Sequence, residues 1–165
     1  MIDHLIFLFY IYFFLFSSIG YGIKFSNLIS KNLVNLNLGW YGIIGFFLIS
    51  LLSVFTSFFV SHNFLHNFIL HIVGFIFFCS SLLKKKNYYE FKFLLYLSIF
   101  LIIGAFVFKN HDDFSYYHLT YALNLSENSF IVGTGNFSHG FRTFSSLFYY
   151  HSTLFFPFID YHLFH

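Results

Sequence analysis

The chain has 165 residues, 58% of them hydrophobic and only 8% charged, with 31 Phe, 13 Tyr and a formal charge of +2. A soluble domain carries about 25% charged residues and cannot hide this much apolar surface, so lipid must be part of the solvent. The single Cys excludes a disulfide framework. The Phe excess, with little Ala and one Arg, reads as the habit of an AT-rich coding sequence rather than as a functional signal.

Met1-Ile2-Asp3-His4 lacks the positive n-region of a secretory signal, so the apolar run 2–23 is read as a retained membrane span. Its end carries Ser17-Ser18 and Gly20-x-Gly22, which suit either helix termination or close helix approach. Residues 24–38 mix Lys24, Lys31 and several Asn with apolar positions, the pattern of a short amphipathic segment at the interface. Gly39-Trp40-Tyr41 opens a second span reaching about Val60, with aromatic residues at its boundary. Gly39, Gly42 and Gly45 give that span one face poor in side chains. Ser61-His62-Asn63 is a tight turn, so spans two and three (64–83) form a helical hairpin. Cys79 lies inside span three as a small apolar residue.

Lys84-Lys85-Lys86, with Lys92 beyond, is the clearest topological signal. It reads as a cytoplasmic stop to span three rather than a nucleic-acid or anionic-lipid site. A fourth span over 91–108 then returns. Lys24 and Lys31 fall on the cytoplasmic side by the same count. The N-terminus, the 61–63 turn and the 110–142 loop fall outside. From 143 the chain is apolar again, with Pro157 and Asp160, and reads as the start of a fifth span in a chain that continues. The expected fold is all-α: a polytopic transmembrane helical bundle of four complete spans plus part of a fifth. It divides into a four-span region (1–109), a non-cytoplasmic loop with a short amphipathic helix (110–142), and the start of the fifth span (143–165).

Most residues able to do chemistry lie between 111 and 142. Asp112 and Asp113 stand at the outer boundary, where paired acids can hold a divalent cation, accept a hydroxyl proton or fix a polar substrate. Asp113 or Ser115 equally fits a helix N-cap before the run 116–125. On that run Phe114, His118, Tyr121 and Leu125 share a face, so His118 is either the edge of an amphipathic helix or a proton-transfer partner of the acids. Gly133-Thr134-Gly135-Asn136 is a turn whose amides can approach phosphate oxygens. His139 and Arg142, the one Arg, follow it; Arg142 suits a pyrophosphate, a carboxylate or a lipid headgroup. His62, His66 and His71 do not make a zinc set, because His71 turns away from the other two and no Cys or carboxylate joins them. A polar outer helix end beneath the 111–142 loop fits them better.

Asp112-Asp113, Tyr117-His118-Leu119, Gly133-Thr134-Gly135-Asn136-Phe137, His139-Gly140-Phe141-Arg142-Thr143 and Ser145-Ser146 resemble, in order, a family of long bacterial polytopic proteins. That family looks like part of the GT-C class of glycosyltransferases. The resemblance covers most of this chain but about the first third of a full-length member. It implies an inner-membrane enzyme that takes sugars from lipid-linked donors at the outer face, in surface-polysaccharide or envelope-glycan assembly. Asp112 or Asp113 would be the base, with or without a divalent ion. His118, Gly133, Gly135, Asn136, His139 and Arg142 would hold the substrate. GT-C enzymes usually carry the acidic loop after the first span, whereas here it follows the fourth. The alternatives are a transporter or flippase-like component for the same lipid-linked glycans, or a small accessory membrane subunit.

Overall fold

The computed structural model describes residues 2–29, 36–82, 88–105, 113–137, 139–142 and 144–159. These are helices and turns throughout. Three helices, α1 (Ile2–Ile29), α2 (Leu38–Ser57) and α3 (Phe64–Leu82), are long and apolar enough to cross a membrane. At 1.5 Å per residue each spans about 28 Å or more, close to the hydrocarbon thickness of a bilayer. A fourth helix, α4 (Tyr88–Ala105), carries Glu90 in its first turn. Lys84–Lys86 and residues 106–112, Asp112 among them, lie outside the described residues.

α1 does not end at Gly20-x-Gly22 but runs on to Ile29, so the segment expected at 24–38 begins as a continuation of the first helix. In lipid a backbone amide has no water to turn to, and the helix is the cheapest way to satisfy it. The two glycines serve packing instead. A Cβ on Gly20 would fall 1.9 Å from the Gly74 carbonyl oxygen of α3, and one on Gly22 would fall 1.8 Å from the Tyr41 carbonyl oxygen of α2. Gly45 and Gly74 complete the two seams against Ser18 and Ser17. α1 is therefore the central helix, with α2 on one flank and α3 on the other. Of the expected small-residue face, only Gly45 sits in a seam; a Cβ on Gly42 would reach Ile19 at an ordinary 3.6 Å, and one on Gly39 would meet only Asn37.

α4 joins through its first turn. Glu90 Oε2 accepts from the Leu38 amide at the start of α2 (3.0 Å), and the Phe91 ring meets Phe16 and Phe78. Higher up, Tyr12 and Ser98 hydroxyls lie 3.0 Å apart. Large side chains such as Phe9, Phe47, Leu51, Phe55, Leu65, Ile76 and Phe100 point outward and are exposed. Ser17, Ser50, Ser53, His62, Asn67 and His71 are buried. Apolar outside and polar within is the arrangement of a bundle whose surroundings are hydrocarbon.

The remainder forms a cap at the end of the bundle that holds the α2–α3 turn. A π-helical turn (Phe114–His118) leads into α5 (Leu119–Glu127), followed by two 3₁₀ turns (Thr134–Asn136 and His139–Arg142) and α6 (Ser146–Ser152). Two backbone bonds fix the cap in place: the His62 amide donates to Leu125 O (2.8 Å) and the Phe130 amide to Ser57 O (2.7 Å). The expected face Phe114, Tyr121, Leu125 is buried, but against α6 and the bundle rather than flat on a bilayer. No fifth span forms within the described residues. α6 has only seven residues, and after it the chain reverses through Pro157 and Phe158, the latter at φ +74°. Leu154, Phe156 and Ile159 are thereby folded back into the core with Phe13 and Phe14.

Candidate functional site

The cap gathers most of the polar residues singled out in the sequence. Asp113 precedes the π-helical turn, where its side chain makes no capping bond to the backbone. Its carboxylate instead accepts from Tyr117 Oη at 3.4 Å, so the N-cap reading is replaced by a tyrosine–carboxylate contact. Ser115 lies exposed within the turn. His118 packs its ring edge-on to Tyr117 (centroids 4.5 Å apart) and against Phe148 of α6 (5.0 Å).

Tyr117 also links this turn to the second half of the site. A Cβ on Gly140 would lie 2.3 Å from Tyr117 Cβ, so only glycine lets the His139–Arg142 turn sit so close. Arg142 then reaches back, its Nε donating to Gly135 O at 3.0 Å with its stem lying over that glycine. The bond uses Nε alone, and among the described residues both Nη groups keep their donors for an anion. Arg142 and His139 are exposed. Asp113, Tyr117, His118, Gly140 and Arg142 thus belong to one contiguous surface at the cap.

The Gly133–Asn136 turn closes on itself through two of its amides. Gly133 is there because the backbone adopts φ +90°. The amides of Asn136 and Phe137 are already given to Gly133 O (2.9 Å) and Thr134 O (3.0 Å). Those two amides are engaged within the turn itself. Nearby Val132 and Phe137 are 86% and 89% exposed, which makes the loop tip apolar beside a cation, a combination suited to a headgroup region.

Beneath the cap lies a polar core that sequence reasoning placed but did not resolve. Asn67 is fully buried and gives Nδ2 to three carbonyls: His62 O (2.8 Å), Ser152 O (2.9 Å) and Phe155 O (3.2 Å). His71 bonds Ser17 (3.2 Å) and Thr153 (3.3 Å) through its two ring nitrogens. His62 bonds Ser152 (2.5 Å) and Thr56 (3.3 Å). Hydroxyls hold these imidazoles, and no group of three or more potential metal ligands converges among the described residues. Burial first, then the neighbouring His66, pushes the His62 imidazole down to about 3, so it stays neutral. In α6, burial and then the 3.1 Å contact with Tyr121 raise the Tyr149 hydroxyl above its ordinary range.

No protein-family model, curated protein or solved structure matches this chain.

On the flank of the bundle an apolar groove of ≈ 380 Å³ runs between α1 and α3, lined by Phe9, Phe13, Phe16, Phe68, Ile72 and Phe156 among others. It lies along helices able to span a membrane, with Phe156 carrying it up beneath the cap. Tyr117 and Gly140 are the cap residues whose contacts were not anticipated. Their sequence signals are adjacency to His118 and His139 and a place in the Tyr117-His118-Leu119 and His139-Gly140-Phe141-Arg142 runs.

Proposed function

We propose that this chain is a GT-C-like membrane glycosyltransferase unit that works on lipid-linked sugars at the outer face of a bacterial inner membrane. The observation that supports this most is the convergence of Asp113, Tyr117 and His118 with Arg142 on one cap. In this reading α4 is a fourth crossing, the Lys84–Lys86 loop is cytoplasmic, and the cap with the 61–63 turn faces outward. Asp113, together with Asp112, accepts the proton of an acceptor hydroxyl, with a divalent cation if one is bound. Tyr117 orients the Asp113 carboxylate, and Arg142 Nη donors with His139 hold the donor phosphate. His118, clamped between Tyr117 and Phe148, orders the same turn. The carrier lipid lies in the groove between α1 and α3.

The test is sugar transfer by the full chain in proteoliposomes supplied with a polyprenyl-phosphate-linked sugar. Asp113→Asn is expected to lower transfer about 10²-fold or more, the scale of a lost general base. Tyr117→Phe, which removes only the orienting bond, should cost less. Undiminished transfer by Asp113→Asn would remove the assignment of the base. Movement of intact donor across the bilayer without its consumption would make the protein a carrier instead.

A further inference from the structure

The cap bares large apolar side chains where the lipid-facing surface of the bundle ends. Val132, Phe137 and Phe158 are 86%, 89% and 82% exposed. A lone exposed hydrophobe is ordinary on a surface in water. These three are nearly bare, and the residues that anchor them show where they stand.

On the α2 flank, the Phe130 amide is bonded to Ser57 O and the Phe130 ring packs on Phe58 at 5.0 Å. The chain therefore leaves the end of α2 beside Phe55, Phe58 and Phe59, which are all exposed. Phe130 and Phe141 both pack on the cap core around Tyr121 and Phe148. Between these two rings the loop turns Ile131, Val132 and Phe137 outward. Arg142 and His139 are exposed on the same loop, and cations beside apolar side chains suit the phosphate layer of a bilayer.

On the opposite flank, Phe156 packs on Tyr10 of α1 (5.2 Å) and Phe64 of α3 (5.6 Å). Phe158 follows at φ +74°, a conformation that bulky residues rarely adopt. In water a glycine would make this turn without strain. An aromatic ring held outward there gains only if its surroundings are apolar.

We infer that the cap is seated in the headgroup layer of one leaflet, with Val132, Phe137 and Phe158 inserted as anchors on its two flanks. The partner is the bilayer because both flanks continue surfaces that already face hydrocarbon. On α2 that surface ends in Phe58 and Phe59, and on α3 it begins with the exposed Phe64 and Leu65. Interfacial elements of this kind sit about 5–10 Å into the headgroup boundary. The exposed polar run Glu127-Asn128-Ser129, just before the loop, stays at the water edge. Arg142 is then held at phosphate depth, so a lipid headgroup reaches it from within the plane of the leaflet. The inference holds whether or not the cap transfers sugars.

The test uses the full chain in phosphatidylcholine vesicles, with the single tryptophan removed as Trp40→Phe. Val132→Trp, Phe137→Trp and Phe158→Trp are added one at a time, each at an exposed site outside the core, and an unchanged unfolding midpoint verifies the fold. Fluorescence is quenched by lipids brominated near the headgroup or near the chain end, and by iodide on both sides of the bilayer. Phe47→Trp, exposed midway along α2, is the reference for a deep position. The three cap variants are expected to lose most of their emission to the shallow bromines, less to the deep ones and little to iodide. The reference should show the opposite order of depth. Quenching of the cap variants by iodide and not by brominated lipid would put the cap in water and overturn the inference. Protection from both quenchers would overturn it too, by showing that protein covers these residues.

Discussion

Gly45→Leu is expected to leave little folded protein. The Cβ alone would fall 1.6 Å from Ser18 O and 2.9 Å from the Gly22 amide nitrogen, both backbone atoms of α1 that no rotamer can move aside. The helices must separate. Separation also opens the neighbouring Gly22–Tyr41 contact and the packing of Ile19, Ile23, Leu38 and Tyr41. Overpacking of this kind costs on the order of 3 kcal/mol or more, a large part of an ordinary domain's stability. The measurement is the monodisperse fraction and unfolding midpoint in detergent. Gly42→Ala is the control: its Cβ meets only the Ile19 side chain at 3.6 Å, and the midpoint should barely move. Equal sensitivity at the two positions would mean that α1 and α2 do not meet at Gly45.

Asn67→Leu is the second large effect. It keeps approximate volume but removes the donor that three carbonyls share, one before α3, one at the last residue of α6 and one just after it. It also leaves His66 Nδ1 without its acceptor. Hydrogen bonds within membrane bundles contribute about 0.6–1.7 kcal/mol each, and stranded buried groups add about 1–3 kcal/mol, so a loss of about 3–5 kcal/mol is expected. Asn67→Asp should be at least as harmful, since it sets a carboxylate against three carbonyl oxygens. Denaturant or SDS unfolding of the purified variants checks the order. An Asp variant as stable as wild type would show that the three carbonyls are not gathered on this side chain.

The legible part of the fold was the part governed by transfer to lipid. Apolar runs located α1, α2 and α3, but the hairpin expected from the short Ser61–Asn63 turn does not pack α2 on α3, because α1 lies between them. The missed signal is polar and small residues at helical period within those runs. Asn67, His71, Gly74, Phe78 and Ser81 make a single buried stripe on α3, and Gly45, Ser53 and Ser57 help to make one on α2. In a membrane helix such a stripe marks the interior, just as apolar residues do in water. Gly20-x-Gly22 left termination and packing open because glycine serves both, and only the Gly74 and Tyr41 carbonyls decide it. The end of the chain misled for another reason. Its composition is that of a span, but Pro157 and the turn at Phe158 reverse it after one short helix, and hydropathy carries no information about such reversals.

In the cap, residue identity located Asp113, His118 and Arg142 but not their relations. The Tyr117 contacts to Asp113 and Gly140 depend on a π-helical turn that no spacing rule announced. The Gly133 turn fitted an anion nest in composition, and the structure shows two of its amides, those of Asn136 and Phe137, bonded within the turn.

The most direct measurement is the sidedness of the cap. In a Cys79→Ser background, single cysteines at Ser61, Ser129 and Asn27 would be challenged in intact cells with a membrane-impermeant thiol reagent. The hydrogen bonds from His62 to Leu125 and from Phe130 to Ser57 put the first two at one end of the bundle, and Asn27 lies near the opposite end of α1. The account predicts labelling at 61 and 129 from outside, with 27 labelled only after permeabilisation. Labelling of 61 and 129 from opposite sides, or of 27 from outside, would contradict it.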